Sequence, residues 1–165
     1  MDERTNDVNW RVRAEVASQG QDEDLDILVW DLRPKVRYNV ALHGRPQDLD
    51  ILVQDADSTV RWAVARHGRD KDLDILVHDE HASVRETVAR LGRPQDLDIL
   101  VHDDVDAFVR MNVADHGRDK DLDILVHDWH PLVREIVARQ GRSADLEILA
   151  NDPDENVREI VNELR

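Results

Sequence analysis

Cysteine is missing altogether from this sequence. Its absence excludes a disulfide framework and a thiolate metal site, and nothing points to an oxidising compartment. Aromatic residues are scarce as well: with four Trp, one Tyr and one Phe, the core has to be built from Leu, Ile, Val and Ala. No apolar run approaches the ~20 residues of a membrane span. The start, Met-Asp-Glu-Arg-Thr-Asn-Asp, carries no apolar signal segment. Positive charge is also short. Twenty-two Lys and Arg against 37 Asp and Glu leave a net charge of -15, which repels a phosphate backbone and removes the main attraction in nucleic-acid binding. These absences predict a cytoplasmic monomer that works with no nucleic acid and no membrane.

What is present is repetition. The hexapeptide Asp-Leu-Asp-Ile-Leu-Val begins intact at Asp24, Asp48, Asp72, Asp96 and Asp121, with a worn copy at Asp145, so its first aspartates lie 24, 24, 24, 25 and 24 residues apart. A second word, Val-Arg, recurs in phase at Val12, Val36, Val60, Val84, Val109, Val133 and Val157. Self-similarity at a fixed period of this size marks a stacked array. The reading is one repeat domain over 1–165: a half repeat at 1–23, five full repeats at 24–144 and a terminal repeat at 145–165. No room is left for a separate catalytic domain.

Both words read as helices, so the fold class is all-α. Leu73, Leu76 and Val77 share one helical face by their i, i+3, i+4 spacing, while Ile75 points aside toward a neighbouring unit. Val84 and Val88 form the matching stripe, with Ala89 small enough for close approach. Each helix has only about two turns, too short to persist alone in water, so stability has to come from stacking. Gly44, Gly68, Gly92, Gly117 and Gly141 stand where a left-handed C-terminal cap is expected. Pro46 and Pro94 suit a first turn, and Asp70, Asp119 and Ser143 suit an N-cap. Paired acids such as Asp72 and Asp74 favour the positive end of the helix dipole.

An Asp precedes an Arg by six residues again and again: Asp7 and Arg13, Asp31 and Arg37, Asp55 and Arg61, Asp79 and Arg85, Asp128 and Arg134, Asp152 and Arg158, with Asp103 and Arg110 one residue wider. One reading is an anion-binding ladder. The other is structural, each Asp capping the second helix or pairing with an Arg of its own or the adjacent unit. The structural reading is preferred, because a residue that reads a partner need not recur in every copy.

A 24-residue unit with a leucine-rich short helix, an Asp, a turn and Val-Arg-x-x-Val-Ala, as in Asp79-x5-Arg85-x2-Val88-Ala89, resembles the leucine-rich repeat variant family and, more distantly, HEAT-like repeats. The resemblance covers about residues 7 to 165. It implies a right-handed superhelix, or α-solenoid, in which an α-helix alternates with a shorter, often 3₁₀, helix. A member of that family carries a cysteine-ligated iron-sulfur cluster at its N-terminus, and the absence of Cys here departs from it. Near-verbatim copies with concentrated differences also resemble a consensus-designed or library-derived repeat binder, and a recently duplicated natural array would look the same.

Candidate chemistry is thin. His78 with His81 and His127 with His130 have an i, i+3 relation, but the equivalent first positions hold Trp30, Gln54 and Asn151, and the segment runs from a helix end into a turn. Carboxylates recur in every unit, whereas an acid-base dyad needs one distinctive environment. The reading therefore assigns no catalytic residue, no metal and no cofactor. Variation is the informative feature. Trp10, Trp30, Tyr38, Trp62, Phe108 and Trp129 all occupy positions that change from unit to unit, and Met111 joins Tyr38 and Trp62 directly after Val-Arg. Such residues anchor protein interfaces. Stacking brings equivalent positions into a row spaced about 10 Å apart. The predicted function is non-catalytic binding of a protein partner through this row. The alternative is an acidic nucleic-acid mimic that binds a nucleic-acid-binding protein, and drift at exposed positions is the third reading.

Overall fold

The computed structural model describes residues 1–102 and 105–165, and among these it contains thirteen α-helices and no strand. The Val-Arg segments form the longer helices α1 (Trp10–Gln19), α3 (Pro34–Leu42), α5 (Ser58–Ala65), α7 (Ala82–Leu91), α9 (Ala107–Asp115), α11 (Pro131–Arg139) and α13 (Glu155–Leu164). Between them the hexapeptides form the seven-residue helices α2 (Asp22–Leu28), α4 (Pro46–Leu52), α6 (Asp70–Leu76), α8 (Pro94–Leu100), α10 (Asp119–Leu125) and α12 (Ser143–Leu149). The short element is thus α-helical throughout the described residues; the one 3₁₀ turn among them is Glu3–Asn6.

Contacts divide the chain into two compact units, Met1–Val88 and Ala89–Arg165. In the first, α1, α3 and α5 lie side by side, and α2 and α4 each bridge the long helices that flank them. The second repeats the scheme with α9, α11 and α13 bridged by α10 and α12. Each unit is a stack of two-helix repeats, the building plan of an α-solenoid.

Burial follows the text closely. The two leucines of every hexapeptide and the Val-x-x-x-Val stripe of every long helix from α3 onward are sealed from solvent. Each such side chain removed from water contributes about 1.5–3 kcal/mol before chain entropy is set against it. Ile75, expected to meet a neighbouring unit, instead stays 44% exposed. It follows Leu73 by two residues and so points about 200° away from the packed face.

The helix starts also differ from expectation. Asp70, Asp119 and Ser143 are first helical residues rather than N-caps, and the N-caps are Arg69, Arg118 and Arg142, with no side-chain cap bond. The C-terminal glycines do adopt left-handed backbone, Gly44 at φ +72. A β-carbon there would lie only 2.6 Å from Cε1 of His67 in the next repeat, so the position needs glycine for space as well.

Candidate interaction surface

Two arginine ladders hold the repeats in line and decide which side chains remain for other work. On the long helices, Arg61 donates from Nε and Nη2 to Asp79, one repeat ahead, at 2.6 and 2.8 Å, and from Nη1 to the carbonyl of Asp55 in its own repeat at 2.7 Å. Arg13 with Asp31, Arg37 with Asp55, Arg110 with Asp128 and Arg134 with Asp152 repeat the forked pair. Each Asp also accepts a backbone N–H two residues on, as Asp79 does from His81 at 2.8 Å. Burial works to raise the pKa of Asp79, but the Arg61 guanidinium and the His81 N–H outweigh it and hold the carboxyl below its ordinary value. Arg85 donates to the Asp79 carbonyl at 2.7 Å. Asp103, placed in this ladder by its spacing, lies outside the described residues.

The second ladder escaped the sequence reading. Arg45, just before α4, forks onto Asp48 at 2.7 and 2.8 Å and reaches back to Asp26 of the preceding repeat at 2.8 Å. Arg69 with Asp72 and Asp50, Arg118 with Asp121 and Asp98, and Arg142 with Asp145 and Asp123 do the same, and Arg93 holds Asp96 at 2.7 Å. From the second copy onward, the first aspartate of the hexapeptide is therefore a buried ion-pair partner, not simply a dipole complement. The signal was an Arg three residues ahead of it. In the first copy that position is Gln21, and Asp24 instead accepts the Asp2 N–H and the Thr5 hydroxyl, both at 2.7 Å, leaving its Oδ2 without a hydrogen-bond partner.

Histidine has structural uses here. Nε2 of His43, His67 and His116 donates to the carbonyls of Ala17, Ala41 and Ala89 at 2.7, 2.7 and 2.9 Å, closing the preceding long helix. His130 caps α11, its Nδ1 accepting the Leu132 N–H at 3.3 Å, and His81 pairs with Ser83. Among the described residues no three His, Asp or Glu side chains are grouped to hold a metal ion. The thiolates of an iron-sulfur cluster do not exist in this chain.

The variable side chains occupy three kinds of place. Trp30 and Trp129 stand in the turns that follow short helices, 69% and 67% exposed. Trp129 lies over the Arg110 guanidinium, 5.1 Å from its ring centre. Trp10 and Phe108 sit in the first turns of α1 and α9. Tyr38, Trp62 and Met111 occupy the position after Val-Arg on α3, α5 and α9 and are half-buried. One residue further along, the side chain turns inward: Ala63 after Trp62 and Thr87 after Glu86 are buried, and Asn39 after Tyr38 donates to the Ala14 carbonyl at 2.7 Å.

Among the described residues, two of the variable rings stack on one another in the first unit. Tyr38 and Trp62 stack with centroids 6.3 Å apart and planes 9° from parallel, a favourable offset range. Lys35 Nζ lies 4.2 Å from the Tyr38 ring centre and the Arg66 guanidinium 4.9 Å from that of Trp62. Lys35, Tyr38 and Trp62 line an open cleft of about 440 Å³ with Thr59 and Ser83. In the second unit the equivalent of these rings is Met111 followed by Glu135, whose carboxylate is buried and held by Arg139 at 3.0 Å.

No family model and no curated protein matches the sequence. Among solved structures, one described as a leucine-rich repeat variant with a novel repetitive protein structural motif superimposes with a TM-score of 0.86 at 29% identity, covering 97% of this chain and 68% of that one. A designed armadillo repeat protein gives a TM-score of 0.40 at 14% identity over 98% of this chain and 95% of its own. Another, in complex with the peptide (KR)4, gives 0.38 at 12% over the same shares. Neither superimposes well enough to bear on this chain. Alternating long and short helices, the arrangement implied by the family resemblance, superimpose on that first solved structure: the chain has the leucine-rich repeat variant fold.

Proposed function

We propose that this chain is a non-catalytic scaffold that binds a protein partner, with the Tyr38–Trp62 cleft as its anchor in the first unit. The stacked, half-exposed ring pair carries the reading. The aliphatic core does not need it, and large rings in a cleft are what protein interfaces use as anchors. Trp10 and Trp30 in that unit, and Phe108, Met111 and Trp129 in the other, are secondary contacts on this reading. The partner is a protein, and the scaffold acts as a cytoplasmic monomer with no cofactor, membrane or nucleic acid.

Imitation of nucleic acid is the weaker reading. Of the exposed acids that recur at one register, Asp26, Asp50, Asp98 and Asp123 each hold an arginine of the next repeat. Paired carboxylates make a poor copy of a phosphate row. The test is quantitative capture of a partner by the native chain and by Tyr38→Ala/Trp62→Ala at low and high salt. Ring anchoring predicts capture that persists in salt and disappears in the double variant. Equal capture by both forms, or complete loss in salt alone, contradicts it.

A further inference from the structure

Most arginines of the first unit are consumed by the two ladders. Arg11, Lys35 and Arg66 are not: among the described residues no carboxylate lies within ion-pair distance of any of them, and each side chain rests on a variable ring, Arg11 over Trp10 at 4.9 Å, Lys35 over Tyr38 and Arg66 over Trp62. All three are exposed. In a chain of net charge -15, such cations are a local reversal of sign, and Lys35 and Arg66 rest on the stacked rings themselves.

Their order along the unit is informative. Arg11, Lys35, Thr59 and Ser83 hold the same register on α1, α3, α5 and α7, giving two cations followed by two hydroxyls. Beside them Tyr38 and Trp62 are followed at the next equivalent position by Glu86. Acids near the cleft sit on the α5 and α7 side, where Asp57 caps α5 through the Thr59 N–H at 2.9 Å. The α1 and α3 side is positive, the middle aromatic and the α7 side polar to acidic.

We infer that the cleft takes a peptide segment in which one or more carboxylates precede or follow a large apolar side chain: the carboxylates meet Lys35 and Arg11, and the apolar side chain lies on Tyr38 and Trp62. This deepens the proposed function and rests on its assignment of the ring pair as anchor. A cation already packed on a ring keeps its outer N–H donors for an incoming carboxylate, and a charge pair on an aromatic floor is screened from one side. A basic segment is disfavoured, because it would bring like charge against the three cations. The cleft volume of about 440 Å³ is sufficient for one large side chain and its neighbours.

Selection of short random peptides displayed on phage against the immobilised native chain tests this without assuming a sequence. The expected result is enrichment of Asp or Glu next to Trp, Phe, Tyr or Leu. A synthetic peptide from that selection is expected to bind about tenfold more weakly to Arg11→Glu/Lys35→Glu and to Trp62→Ala, variants whose helix content is checked by circular dichroism. Peptides without acidic bias, or binding lost in Trp62→Ala yet indifferent to charge reversal, would overturn the acidic ligand and leave the ring anchor standing. Peptides that bind Tyr38→Ala/Trp62→Ala as well as the native chain would remove both. Selection of nothing, with self-association abolished by Lys35→Glu, would replace the peptide with a second copy of the chain.

Discussion

The two units share a framework and differ in what they display. At the position after Val-Arg, the first unit carries Tyr38 and Trp62, stacked and open to a cleft. The second carries Met111 and Glu135, and the Glu135 carboxylate is buried against Arg139. Beneath these positions nothing changes: Arg61 forks onto Asp79 as Arg110 forks onto Asp128, and Leu49 is as buried as Leu122. The comparison teaches that folding information is held in the copied letters and surface chemistry in the few that vary. Repeat arrays permit this separation because each unit contacts only its neighbours.

The harshest way to break the comparison is to remove the shared part. Arg61→Met in the first unit and Arg110→Met in the second each strand a nearly buried aspartate, and each is expected to cost about 3–5 kcal/mol. Urea unfolding followed by circular dichroism should give similar losses for both. A large loss in one unit alone would show that the frameworks are not equivalent.

Glycine comes next. Gly44→Ala forces a side chain into left-handed backbone and against His67, whereas Gly141 has the same backbone, φ +72, with nothing within 4 Å of a new β-carbon. The expected costs are about 3 kcal/mol for Gly44→Ala and about 1–2 for Gly141→Ala. Adding His67→Ala to Gly44→Ala should bring back part of the difference in a double-mutant cycle.

Acid sharpens the comparison further. Asp79 in the first unit and Asp152 in the second are both desolvated, which raises their pKa, and both are brought net below the ordinary value by Arg61 and Arg134 and by backbone N–H groups. A depressed folded-state pKa adds stability that is fully present above the unfolded value, about pH 4, and lost as pH falls through the folded one. Stability against urea is therefore expected to be flat above that range with respect to these groups and to drop below it. Asp79→Asn and Asp152→Asn should each flatten the drop by a similar amount.

The smallest expected effect lies in the rings. Tyr38→Ala and Trp62→Ala together should change stability chiefly through lost surface contact, with a coupling of about 0.5–1.5 kcal/mol between them. Met111→Ala with Glu135→Ala should show no comparable coupling of aromatic origin. A thermal-melt cycle on the four single and two double variants distinguishes these cases.

Much of this architecture was legible in the text because periodicity converts directly into neighbours. The hexapeptide leucines, the Val-x-x-x-Val stripe and the capping glycines all stand where their spacing puts them. The inward turn of the position after Tyr38 and Trp62 was not legible, since a helix advances about 100° per residue and adjacent letters part company. The short-helix ladder was present in the letters as an Arg three residues before every hexapeptide except the first, but acids in a first turn have a sufficient explanation in the helix dipole. That Arg45 also reaches Asp26 depends on the spacing of stacked repeats. Equally, sequence placed the rings at variable sites, yet the contact of Tyr38 with Trp62 and the exposure of Trp30 depend on rotamers and turn geometry that no period encodes.

One exchange tests the central claim most directly: place the second unit's letters in the first, Tyr38→Met with Trp62→Glu, and measure both urea unfolding and binding of the selected acidic peptide. The expected result is a cooperative transition within about 1 kcal/mol of the native chain and no detectable peptide binding. Loss of the cooperative fold, or peptide binding that survives the exchange, would contradict it.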